Sequence, residues 1–132
     1  MLRGLNHITI AVNDLRRSLN FYTNLLEMKP HVRWDSGADL SLGDVWLCLS
    51  HDEAKRSQDY CHLAFDVPED NFNAVSEKHR AANVAEWKQN SSEGSSLYFL
   101  DPNGHKLEIH SGSLESRLES LKSKPFPGLV WM

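Results

Sequence analysis

The chain opens on an alternating segment, residues 5–12 (Leu-Asn-His-Ile-Thr-Ile-Ala-Val), in which apolar and polar positions interleave. Alternation among β-branched residues predicts a strand. Asp14 follows, and an aspartate carboxylate can accept an unpaired backbone N–H at a helix start. Beyond it Leu15, Leu19, Tyr22, Leu25 and Leu26 fall on one stripe of a helix ending near Glu27. Three extended segments come next, about 30–35, 38–42 and 45–50, punctuated by Gly37 and Gly43-Asp44.

After a polar stretch, 51–59, the same order recurs. Residues 60–67 (Tyr-Cys-His-Leu-Ala-Phe-Asp-Val) predict a strand, and Pro68 opens a helix with Phe72, Val75, His79 and Ala82 on one face. Extended segments follow near 84–88, 96–100 and 105–110, the last two joined by the turn Asp101-Pro102-Asn103-Gly104. Placing His7 on His62 brings Ile8 onto Leu63, Ile10 onto Phe65 and Val12 onto Val67. Both halves therefore read β-α-β-β-β, an internal duplication that restricts the architecture more than any single element. The expected fold is α+β: two βαβββ modules, about 4–51 and 59–111, each a curved sheet with a helix outside, their sheets enclosing a cleft. A helix over about 113–123 ends the pattern, with Leu114, Leu118 and Leu121 on one side.

The length of 132 residues corresponds to one domain at roughly 150 residues each. The 14 Lys and Arg against 18 Asp and Glu leave a net charge of −4, which argues against nucleic-acid and anionic-membrane partners. The longest apolar run, Val45–Leu49, falls far short of the ~20 residues of a spanning helix. No uninterrupted apolar stretch near the N-terminus resembles an export signal. Cys48 and Cys61 stand in no paired spacing, so neither a disulfide framework nor a cysteine zinc site is indicated. A cytoplasmic, single-domain protein is expected.

Among seven histidines, His31, His51 and His79 read as loop or packing residues, and His105 and His110 as rim positions. His7 and His62 differ because the duplication superimposes them. Residues two apart in a strand share a face, so His7 lies beside Thr9, and Tyr60 beside His62. In Lys106-Leu107-Glu108-Ile109-His110 the apolar neighbours turn Glu108 to the opposite side. Two histidines and a carboxylate around a cleft would suit Mn, Fe, Ni or Zn, although paired strand histidines are more often structural. Cys48 occupies the first-half counterpart of Glu108, where packing is the ordinary reading. The polar segment 87–98 is either an exposed loop or a carbonyl-rich cradle for a small ion, with Lys88 and Arg117 adding positive charge.

Several blocks taken in order resemble one family. They are His7-x-Thr9, Trp34-Asp35-x-Gly37, Val45–Ser50, Tyr60-x-His62, Ser92-Glu93-Gly94-x-Ser96, Tyr98–Glu108 and Pro125-Phe126-x-Gly128. The family is the manganese-dependent fosfomycin glutathione transferases (FosA type) of the vicinal oxygen chelate superfamily, and the likeness runs from residue 1 to about 131. The resemblance implies that His7, His62 and Glu108 bind Mn²⁺ or another divalent metal. It implies a homodimer whose modules pair between chains, so that His7 joins His62 and Glu108 of the partner subunit. Thr9, Lys88, Ser92, Tyr98 and Arg117 match residues that hold the antibiotic's phosphonate and oxirane, with Trp46 and Tyr60 lining the pocket. Asn90, Ser92, Gly94 and Ser96 match a loop that holds K⁺, with Glu93 beside it. A divalent metal on two neutral imidazoles and a carboxylate leaves one net positive charge, and Lys88 and Arg117 add two, which suits a phosphonate. The implied reaction opens the epoxide by adding the glutathione thiol to the carbon bearing phosphorus.

The thiol side departs from the family. Asp39 stands where relatives commonly carry tyrosine, Ser91 where they carry arginine and Ser36 where some carry glutamine. A carboxylate cannot donate to a thiolate, but it can accept a proton from a thiol or a water. Alternatives are therefore a manganese-dependent epoxide hydrolase acting on fosfomycin or a related phosphonate, and a non-catalytic antibiotic-binding protein. An Fe(II) dioxygenase shares the ligand types, but Lys88, Arg117 and the Ser-Gly loop suit an anion better than a catechol.

Overall fold

The computed structural model describes residues 1–132. The elements run β1 (His7–Val12), α1 (Leu15–Asn20), β2 (Lys29–Trp34), β3 (Gly37–Leu42), β4 (Val45–His51), β5 (Leu63–Asp66), α2 (Glu69–Ala81), β6 (Glu86–Lys88), β7 (Ser95–Leu100), β8 (Lys106–Ser111) and α3 (Leu114–Ser123). The fold is α+β, with two four-stranded mixed sheets of orders β1-β4-β3-β2 and β5-β8-β7-β6. The two orders are the same permutation of their halves, as the duplication requires. In each, the first strand of the module pairs parallel with the last. No helix is long and apolar enough to cross a membrane.

Two compact units divide the chain, Met1–Cys61 with Leu100–His105, and His62–Phe99 with Lys106–Met132. In the first, the strand alternation buries Val12, Ala38, Leu40, Leu47 and Leu49 on one sheet face. The register sets His7 beside Trp46, Thr9 beside Cys48 and Asp39 beside Cys48, so these residues share the other face. Asp14 caps α1 as expected, accepting from the Arg17 amide at 3.0 Å.

The helical stripe changes pitch midway, because Phe21–Leu25 winds as a π-helical turn. Thr23 Oγ1 donates back to the Leu19 carbonyl at 2.8 Å, a bond that competes with the regular helical ladder. Wider winding leaves Tyr22 and Leu26 buried while Leu15, Leu19 and Leu25 are only half-buried. Tyr22 donates to Asp101 Oδ2 at 2.7 Å, and Asp101 Oδ1 accepts from the amides of Asn103 and His105. Thus the Asp-Pro-Asn-Gly turn anchors α1. Burial first, and the Asp101 charge second, push the Tyr22 phenol well above its ordinary range.

In the second unit Phe65, Leu97, Phe99, Leu107 and Ile109 form the apolar layer with His79 of α2. The His79 ring meets Phe99 edge-on at 4.8 Å, which is a packing role. The β5 strand begins at Leu63, so Tyr60, Cys61 and His62 form its approach rather than its first residues. Ala82 caps the end of α2 and is exposed instead of extending its buried face. Ser113 opens α3 with a reciprocal capping box to Ser116.

Candidate metal and anion site

The polar face of the first sheet carries His7, Thr9, Asp39, Trp46 and Cys48. The His7 ring lies 4.5 Å from that of Trp46 and its Nδ1 is 2.7 Å from Asn6 Oδ1. Trp46 Nε1 donates to Asp39 Oδ1 at 3.1 Å, which holds the half-buried carboxylate against the sheet instead of leaving it in bulk water. A groove of about 320 Å³ runs along this face, lined by His31, Val32, Asp39, Leu40, Ser41 and Trp46. The Cys48 thiol is raised by burial, and further by its hydrogen bond to Asp39 and that carboxylate's charge, while Thr9 pulls the other way. A raised pKa makes this thiol a poorer nucleophile than an ordinary cysteine.

The polar face of the second sheet is built on Glu108. Although only 6% exposed, this carboxylate is hydrogen-bonded at both oxygens. Its Oε2 lies 2.8 Å from His62 Nε2, and its Oε1 accepts from Ser96 Oγ at 2.6 Å. Trp87 and Tyr98 wall the His62 ring at centroid distances of 5.6 and 6.1 Å. The Lys88 ammonium stands over the Tyr98 ring at 5.2 Å. Arg117 lies on the second turn of α3 and is half-buried. Tyr60, by contrast, is 64% exposed in the first unit.

The 89–94 loop is ordered by Asn90. Its Nδ2 donates to the Gly94 carbonyl at 2.7 Å, and its Oδ1 accepts from both the amide and hydroxyl of Ser92. Gly94 sits at φ +80°, a conformation that side chains rarely adopt. Glu93 Oε2 is buried in this loop without a hydrogen-bond partner. A buried carboxylate oxygen of that kind calls for a cation.

His62 and Glu108 fit a divalent ion. Ligands held at ~2.1 Å and at right angles about one ion stand ~3 Å apart, close to the observed separation. No three His, Cys, Asp or Glu side chains of the single chain are grouped to hold a metal by themselves. His110, expected at the rim, instead turns inward: its Nδ1 is 2.6 Å from Ser96 Oγ. The period-2 alternation from Glu108 could have revealed this, since residues 108 and 110 share a face. His105, also expected at the rim, bonds through Nε2 to the Ala11 carbonyl at 2.7 Å.

Two four-stranded mixed sheets of like strand order, each with one polar face and one of them presenting a His–Glu pair, define a glyoxalase-type fold. The chain belongs to the Glyoxalase/Bleomycin resistance protein/Dioxygenase superfamily, whose pattern it matches over residues 4–109. It is 50% identical to a glutathione transferase FosA of Serratia marcescens, over 99% of this chain and 96% of that one. It is 35% identical to a metallothiol transferase FosB of Staphylococcus epidermidis, over 95% and 96% of the two chains. Among solved structures it is similar to FosX of Listeria monocytogenes complexed with Mn(II) and sulfate, with TM-score 0.81 and 28% identity over 91% and 98% of the chains.

Proposed function

We propose that the protein is a metal-dependent fosfomycin-resistance enzyme that joins the thiol of glutathione to the phosphonate-bearing carbon of the epoxide. The observation that carries this reading is Glu108, a buried carboxylate aimed at His62, on a chain half identical along its length to a FosA transferase. His62 and Glu108 would hold the metal with His7, supplied across a homodimer by a second copy of the chain. Leu114, Leu118, Phe126 and Trp131 are exposed apolar side chains that such a partner would cover. Mn²⁺ is the expected ion, and when bound it supplies Lewis-acid stabilisation of the oxygen released from the ring. K⁺ would occupy the Asn90–Ser96 loop beside Glu93.

Lys88 and Arg117 bind the phosphonate by charge, and Thr9, Ser92 and Tyr98 orient it through their hydroxyls. Trp46 and Tyr60 exclude water from the hydrocarbon side. Asp39 takes the proton from the thiol, whose ordinary pKa near ~8.5 leaves only a few per cent ionised at pH 7. The sulfur–carbon bond forms as the ring carbon–oxygen bond breaks, and the ring oxygen acquires a proton to become the alcohol. The reaction is placed in the cytoplasm, where thiols are kept reduced.

Asp39 also favours a second reading, in which the same carboxylate activates water and the product is a diol. Purified protein given Mn²⁺ and fosfomycin, with and without glutathione, separates the two. A thioether adduct formed only with glutathione is expected. Diol appearing without thiol at the full turnover rate would overturn the transferase reading.

A further inference from the structure

We infer that His110 is a positioning residue for the Glu108 carboxylate, acting through the Ser96 hydroxyl; the inference rests on Glu108 being a metal ligand. Ser96 Oγ lies 2.6 Å from Glu108 Oε1 and 2.6 Å from His110 Nδ1. An ionised carboxylate only accepts, so the single hydroxyl hydrogen goes to Glu108. The Ser96 oxygen must then accept from a proton on His110 Nδ1, which selects that ring tautomer. His110 Nδ1 is itself 3.5 Å from Glu108 Oε1, so the hydroxyl is the shorter link.

The imidazole has little freedom to leave this arrangement. A Cβ at Gly94 would stand 2.7 Å from its Cε1 and would collide with the Ser111 carbonyl oxygen, and a Cβ at Gly112 would stand 2.5 Å from its Nε2. Two glycines therefore make the slot in which the ring lies. Ring, hydroxyl and carboxylate come from the neighbouring strands β7 and β8, whose register fixes their spacing. With Oε1 tied to Ser96, Glu108 presents Oε2 toward His62. Outer partners of ligating carboxylates carry a measurable share of metal affinity, typically ~10–100-fold when removed.

The test is Mn²⁺ titration of the full chain, read from the free-ion electron paramagnetic resonance signal, together with steady-state kinetics at saturating Mn²⁺. His110→Ala should raise the Mn²⁺ dissociation constant by ~10–100-fold. His110→Asn, whose amide nitrogen can stand near the place of Nδ1, should recover most of that loss. Ser96→Ala should weaken Mn²⁺ similarly, and adding His110→Ala to it should cost little more, because both break one chain. Circular dichroism and melting of each variant report folding separately, and the Ser96→Ala pair keeps the test open if His110→Ala does not fold. A folded His110→Ala protein with native Mn²⁺ affinity would overturn the inference, as would full additivity of the two substitutions. Failure of the native chain to bind Mn²⁺ at all would instead remove the metal reading on which it rests.

Discussion

The two sheets share one topology and present opposite chemistry on equivalent positions. Register places Cys48 beside Thr9 in the first sheet and Glu108 beside Ala64 in the second, so Cys48 and Glu108 are counterparts. His7 and His62 likewise correspond. Glu108 is a buried carboxyl group hydrogen-bonded at both oxygens, whereas burial and Asp39 raise the pKa of the Cys48 thiol. One sheet therefore presents a hydrogen-bonded His–Glu pair; the other presents one histidine and an acid that bonds to Trp46. The duplicated backbone supplies a scaffold, and single side-chain identities decide which chemistry each copy presents.

The sharpest way to break the contrast is Glu108→Gln. It should lower turnover of the phosphonate by ~10³-fold, since metal stabilisation of developing charge is worth several kcal/mol. Turnover retained within tenfold at saturating Mn²⁺ would show that Glu108 is not a ligand. Asp39→Asn addresses the acid of the other sheet. Loss of a general base should cost ~10²-fold in kcat/KM for glutathione at pH 7. That deficit should shrink as pH rises past ~8.5, where the thiol ionises unaided. A pH-independent deficit would exclude the proton-acceptor role.

Stability separates the units too. Tyr22→Phe removes a buried hydrogen bond to the Asp101 carboxylate and should cost about 2 kcal/mol in chemical denaturation. Because burial and Asp101 raise the folded-state phenol, its stabilisation is complete below the unfolded pKa of ~10 and is lost as pH climbs above it. The native chain should therefore lose ~1.4 kcal/mol per pH unit more steeply there than Tyr22→Phe. Equal slopes would remove the phenol as the cause. The smallest effect belongs to Cys48→Ala, expected to leave turnover within about twofold, because a protonated thiol contributes packing and one weak donor. Its alkylation at pH 7 should also be slower than that of an unperturbed cysteine.

The repeated element order was legible in the chain because alternation, helical spacing and turn residues act over a few positions. So were the superposition of His7 on His62 and the outward turn of Glu108 from Leu107 and Ile109. The likeness of the loop 90–96 to a cation cradle rested on residue types, and the structure adds the orphaned Glu93 oxygen within it. The π-helical turn over Phe21–Leu25 was not legible, since the apolar spacing of so short a segment does not distinguish a local change of pitch.

By itself, then, the sequence determined two βαβββ halves, the strand faces and the residue types available on them, all properties carried by local periodicity. Tertiary structure decided which of those residues meet. Tyr22 finds Asp101 across 79 positions, and Ser96 ties Glu108 to a histidine that read as rim. Asp39 comes to stand beside Cys48 and to accept from Trp46 only because β3 and β4 pair in one register. Strand register and helix docking bring together groups far apart in the chain, and hydrogen-bond geometry depends on distances that no local pattern encodes.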